Sequence, residues 1–211
     1  MTKGTSGAGG EPGRPVVTIF ETYGSGAWEV GPLLAEALDV PYVGQAFSSE
    51  DLESADSAPG LSDNPVTRIL STLGRSAFSA DVGVFSGPQQ QRETAERIAA
   101  VRAKCADGAV ILGQNATVIL ADNPHALHVK LDGPVKERIA RGAAAAGIDL
   151  SRARSRQTRE DRVRAEMSIR THNWDPRDND RFDLVVNTEQ LGYKAAVELI
   201  LSALRIKRAM R

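Results

Sequence analysis

Residues 21–31 read ETYGSGAWEVG, and how that stretch folds decides the architecture. Before it stands PVVTIF at 15–20, a β-branched apolar run of the kind buried on both faces of a sheet. After it, Val30, Leu33, Leu34, Ala37 and Leu38 recur with helical spacing. A strand, a glycine-rich turn and a helix make an anion site. Glycines let successive N–H groups turn inward, and the helix N-terminus adds partial positive charge. The dinucleotide fingerprint G-x-G-x-x-G fits Gly24 and Gly26 but puts Glu29 at the third glycine. Its acidic residue is also missing after the next strand, VPYVGQ. The Walker A pattern puts Trp28 at the lysine, Ala27 at the last glycine and Thr22 at the first, so it fails at every defined position. Taken alone, the stretch is a glycine turn whose contact with phosphate stays open.

Pro32 fits a helix only in the first turn, so the helix is expected to start near residues 29–31. VPYVG (40–44) reads as a second strand, and the acidic, turn-rich 45–64 as an exposed loop. Helical stretches are expected over 66–78 and 91–106. AVILG (109–113), ALHVKLD (126–132) and FDLVVNT (182–188) read as further strands, with helices over 134–146, 151–171 and 190–209. Strands alternating with helices predict parallel βαβ units: an α/β three-layer sandwich.

The chain has 211 residues, 41% hydrophobic and 25% charged, enough for one sizeable core. Its formal net charge of -1 gives no global attraction to nucleic acid. Aromatic residues at 5% argue against a base-stacking surface. One cysteine, Cys105, permits no internal disulfide and fits a cytoplasmic setting. No apolar run approaches a bilayer's span, so no membrane partner is expected. Residues 1–14, rich in glycine and small polar residues, read as a disordered tail. The three histidines have no metal-ligand spacing. SRARSRQTREDRVRAEMSIR (151–170) reads as a solvated, internally paired helix rather than a polyanion site, because Glu160, Asp161 and Glu166 interleave its arginines.

Three blocks together resemble the cytidylate kinase-like family. VVTIFETYGSGAWEVGPLLAEALDVPYV is similar to its opening strand, E-Y-G-S-G-G-R-E-I-G type loop, helix and second strand. AVILGQNATVILADNPHALHVKLDGPVKERIAR is similar to its middle segment. NWDP (173–176) and RFDLVVNTEQLGYKAAVELI are similar to its close. The resemblance implies the P-loop nucleotide kinase fold with a five-stranded parallel sheet: one kinase-like domain over 15–211, a substrate-binding insertion at 45–106 and a lid at 136–172. It implies phosphoryl transfer from ATP, with Mg2+, to CMP or a related monophosphate. Gly24, Ser25, Gly26, Ala27, Trp28 and Glu29 would form the loop that holds the donor. Gln114 and Asn115 would face the acceptor, and Arg138 and Arg162 would be lid arginines acting in catalysis.

This chain departs from that pattern where charge matters most. The family's loop arginine is Trp28, its loop glycine is Ala27, and its Gly-Arg-Gly strand end is Gly113, Gln114 and Asn115. Phosphoryl transfer relies on positioning and charge neutralisation, and losing one such group can cost on the order of 10³-fold. The departures admit an alternative expectation: a catalytically degenerate kinase-fold protein that binds nucleotide or a protein partner without turnover. Arg156, Arg159 or Arg164 are the arginines that could compensate.

Overall fold

The computed structural model describes residues 13–57 and 88–210. The tail expected over 1–14 lies almost wholly outside these residues. So do the helix expected over 66–78 and the middle of the 45–106 insertion.

Five strands form one all-parallel sheet: β1 (Val16–Glu21), β2 (Tyr42–Val43), β3 (Ala109–Leu112), β4 (Ala126–Asp132) and β5 (Leu184–Asn187), in the order β2-β3-β1-β4-β5. Central β1 has both edges filled, with Val16 beside Ala109 of β3 and Ala126 of β4. Its side chains alternate between two apolar layers. Val17 and Ile19 meet α1 (Ala27–Leu38) and the last helix, α7 (Thr188–Ala209), through Val30, Leu34, Ala196 and Ile200. Val16 meets α3 (Pro88–Lys104) and the single turn α4 (Ala116–Ile119) through Val101, Cys105 and Ile119. The α/β sandwich expected from the sequence is therefore present, with the sheet as its middle layer. Truncating a fully buried side chain such as Leu34 to alanine would cost about 2–5 kcal/mol.

Thr18 points into the second layer, where a polar side chain needs partners. It sits 2.9 Å from His128 Nδ1 and 3.1 Å from Thr117 Oγ1. His128 is thus a packed strand residue, and burial pushes its pKa down.

Three local expectations are corrected. Helix α1 starts at Ala27, so Pro32 lies beyond its first turn. The proline forgoes one backbone hydrogen bond, but burial of Val30, Leu34 and Ala35 against the sheet keeps the helix going. Residues 49–56, expected as loop, form α2 (Ser49–Asp56). Ser48 and Asp51 make a reciprocal capping box, and Leu52 and Ala55 are buried beneath it. The last strand is shorter than expected, because Asn187 already caps α7.

The lid region is two packed helices, α5 (Val135–Ala146) and α6 (Leu150–His172), joined through Gly147 in a left-handed conformation. Asp149 caps α6 by accepting from the Arg152 amide.

Candidate functional site

The turn between β1 and α1 has the conformation that its glycines permit. Gly24 and Gly26 have φ of 76° and 88°, and Gly26 caps α1. Ser25 is fully buried between them. Its hydroxyl lies 2.7 Å from Thr22 Oγ1, and its carbonyl accepts from Thr188 Oγ1 at 2.7 Å. Thr22 in turn donates to Asp132 at the end of β4 at 2.8 Å. The turn is therefore braced from two neighbouring strand ends. The amides of Gly24, Gly26 and Trp28 have no acceptor among the described residues.

Two carboxylates of the chain itself take the other inward donors. Glu21 Oε2 accepts from the Ala27 amide at 3.2 Å, and its Oε1 accepts from Gln45 at 2.9 Å. Asp161 of α6 accepts from the Tyr23 amide at 2.6 Å. These are the interactions that a bound anion's oxygens would make at such a turn. Glu21 is buried, and desolvation outweighs the nearby Arg164 to push its carboxyl above the ordinary range.

Trp28 does not plug the hollow. The residue is 38% exposed, and its ring meets Tyr193 edge-on at 6.2 Å between centroids. Ala27 is fully buried, and Glu29 is exposed in the first turn of α1. Trp28 stands at the position where the family pattern places arginine.

The other expected site residues have clear places. Arg138 is buried and donates to the carbonyls of Gly133 (2.9 Å) and Tyr23 (2.8 Å) and to Asp161 (3.1 Å), so it holds the turn from behind. Arg162 is half exposed on the outer side of α6 and pairs with Glu166 at 3.3 Å. Gln114 donates to the Gly44 carbonyl at 2.7 Å and accepts from Lys104 at 3.0 Å, while Asn115 donates to Thr171 at 3.1 Å. The structure gathers Gly24, Ser25, Gly26, Ala27 and Arg138 around the turn. It puts Gln114 and Asn115 in the wall of a neighbouring cavity and leaves Arg162 apart.

Two cavities open around the turn. One of about 360 Å3 lies between the turn, α2 and the lid helices, beside Tyr23, Gly24 and Trp28. The other, about 250 Å3, lies between α3 and α6 at the C-terminal ends of β1 and β3. They share Glu21, Gln45, Phe47, Leu112 and Arg164 as a common wall. Arg164 donates from Nη2 to Glu160 at 2.7 Å and to Gln45 at 3.3 Å, and lies 3.7 Å from Glu21. Its Nε and Nη1 are buried with no hydrogen-bond partner.

Three further arginines of α6 clasp α2. Arg152 and Arg156 both bond Glu53, Arg156 also bonds Glu50, and Arg159 bonds Asp56. Pairing within α6 runs through Glu160, Asp161 and Glu166 in its later half, while the arginines of its first half pair with this second helix.

The order of the strands, the glycine turn after β1 and the two-helix lid form a single pattern, and the family profile described as cytidylate kinase-like matches residues 16–190. The chain belongs to the cytidylate kinase-like family. Two solved structures share its fold. An uncharacterized protein from Eubacterium ventriosum is 18% identical, covering 90% of this chain and 98% of its own, with a TM-score of 0.64. A sugar kinase from Janibacter sp. is 18% identical, covering 92% and 96%, with a TM-score of 0.50. Among curated proteins, a uronate isomerase from Corynebacterium glutamicum is 29% identical over 147 residues. That match takes in 67% of this chain but only 28% of the isomerase. Family and fold together make this a kinase-like protein. Among the described residues, no helix is long and apolar enough to cross a membrane.

Sequence reasoning passed over Glu21 and Asp161. Glu21 closes a buried strand with a charged side chain directly before a glycine turn, and that was the available signal.

Proposed function

We propose that this protein is a catalytically degenerate kinase-fold protein, one that binds a ligand without transferring phosphate. The observation that carries this reading is the Glu21 carboxylate bonded to the Ala27 amide inside the turn, where a triphosphate would sit. Trp28 supplies no cation to compensate, and Glu160 and Asp161 add two more carboxylates nearby. An entering triphosphate would meet negative charge in a partly desolvated site, where like charges repel strongly. ATP and Mg2+, which the family resemblance implies, fit these residues poorly. Gly24, Gly26 and Trp28 keep amides for phosphate oxygens, but the nearest side chains are carboxylates already committed to backbone or to arginine. A protein partner is the other occupant consistent with this reading.

A second reading is favoured by Arg164. Its side chain lines the wall between the cavities, where a guanidinium could bridge donor and acceptor phosphates. On that reading the protein is an ATP-dependent nucleoside monophosphate kinase acting on CMP or a related monophosphate in the cytoplasm. Gly24 to Glu29 would cradle ATP, and Arg138 would support the turn. The experiment that separates the two is incubation of the full chain with ATP, Mg2+ and CMP, dCMP or UMP at high protein concentration. The first reading expects no nucleoside diphosphate above background. Sustained product formation would replace it with the second.

A further inference from the structure

Beyond Gly192, where the backbone breaks the helix with φ 73° and ψ 165°, α7 runs on to Ala209 with two apolar faces. One is accounted for, because Ala196, Val197, Ile200 and Leu204 are buried against the sheet. The other points away from it. Ala195, Leu199, Ser202, Ile206 and Ala209 follow one another at spacings of four, three, four and three residues, the seam of a helix that packs on another helix. Leu199 is 41% exposed and Ile206 62%. A single exposed leucine or isoleucine is ordinary. Two of them one heptad apart, with a small residue at every other seam position, make a stripe.

The seam alternates in size. Leu199 and Ile206 hold one set of positions, and Ala195, Ser202 and Ala209 hold the other. In an antiparallel pair of such helices the two sets meet. Leu199 then lies against Ser202 of a second copy, and Ile206 against Ala195. Large against small lets the helix axes come close together. The sheet-facing residues lie on the far side of α7, so the second domain stands clear of the first.

Charge selects the same arrangement. Glu198 and Arg205 flank the seam on one side, and neither has an ionic partner among the described residues. Arg205 donates to Ser202 Oγ at 2.9 Å, which satisfies that hydroxyl and holds the guanidinium beside the seam. In the antiparallel register Glu198 of each copy faces Arg205 of the other, twice by two-fold symmetry. A parallel pair would set Glu198 against Ala203 and leave both charges unmatched.

We infer that two copies of this chain pair antiparallel through the outer face of α7, with Leu199 and Ile206 in the seam and two Glu198–Arg205 ion pairs beside it. The inference goes beyond the reading of the glycine turn and does not depend on what the turn binds. One helix face makes a small interface, so a reversible dimer with a roughly micromolar dissociation constant is expected.

The test is sedimentation equilibrium of the full chain, of Glu198→Arg, of Arg205→Glu, and of an equimolar mixture of these two variants. The wild-type chain is expected to pass from monomer to dimer as its concentration rises. Each charge reversal sets like charges opposite each other at both ends of the seam and should raise the dissociation constant roughly tenfold or more. In the mixture each variant meets its complement, so a heterodimer should form with about wild-type affinity. Ile206→Glu should abolish association. All three positions are exposed, so the variants should keep the wild-type melting transition. A wild-type chain that stays monomeric, a dimer that Ile206→Glu leaves unchanged, or a mixture no more associated than its separate variants would each overturn the inference.

Discussion

Asp161 of the lid helix accepts from the backbone amide of Tyr23 at 2.6 Å and from Arg138 at 3.1 Å, tying α6 to the glycine turn through a single carboxylate. Lid and turn are thus joined by the chain's own charges.

Replacing Asp161 by alanine leaves Arg138 buried without that partner and the Tyr23 amide without an acceptor. Breaking a buried pair from one side costs a few kcal/mol, so a loss of about 2–4 kcal/mol is expected in denaturant unfolding. The Tyr23 amide should also exchange faster with solvent. Unchanged exchange at Tyr23 would show that the contact does not hold the turn.

Glu53 is expected to give the lid an acid-sensitive clasp. Hydrogen bonds from Arg156 and then Arg152 hold its carboxyl down at about 2, against an ordinary value of 4.5. The folded state favours the ionised form. The contribution is therefore full above about pH 4.5 and is lost as pH falls from there towards 2. It amounts to on the order of 2 kcal/mol after allowance for solvent screening. Glu53→Gln should flatten stability across that window and leave the difference between variants constant above it. Parallel curves for the two proteins between pH 5 and 2 would remove the clasp from the account.

Gly24 and Gly147 both have positive φ, yet they should respond differently to alanine. A Cβ at Gly24 would lie 2.0 Å from the Arg138 carbonyl oxygen, whereas at Gly147 it would meet nothing within 4 Å. Gly147→Ala should cost about 1 kcal/mol, the backbone strain alone. Gly24→Ala adds an overpacked contact and should cost roughly 3 kcal/mol or more. Thermal melts of the two variants decide this, and equal costs would mean that the turn yields easily.

Trp28→Arg puts back the family's cation at a surface position. The indole's edge-on contact with Tyr193 is lost, so stability should change by about 1 kcal/mol. By itself the change should not produce phosphoryl transfer, because Glu21 still occupies the Ala27 amide. Activity in this single variant would show that the missing cation was the whole deficit.

The fold was legible because its signals are local and periodic. Ala109 to Leu112 is an unbroken apolar run, Val16 to Phe20 is β-branched and apolar but for Thr18, and α1 carries a helical period. The shape of the turn was legible too, since only Gly24 and Gly26 could take its positive φ values at low cost. What fills the turn was not. Glu21 and Asp161 are separated by most of the chain, and nothing in their spacing says that both aim at one loop. Arg138 looked like a phosphate ligand because its position matches the family, but its guanidinium is committed to Gly133, Tyr23 and Asp161. Helix α2 was missed because its acidic residues imitate a loop until the arginines of α6 stand opposite.

The most direct test of the central claim is the ATP dissociation constant of the wild-type chain against Glu21→Gln, measured by calorimetry with Mg2+. Removing one negative charge from the turn, with the side chain's size kept, should tighten ATP binding roughly tenfold or more, each decade corresponding to ~1.4 kcal/mol. An affinity that is unchanged or weaker in Glu21→Gln would show that this carboxylate is not what keeps the triphosphate out.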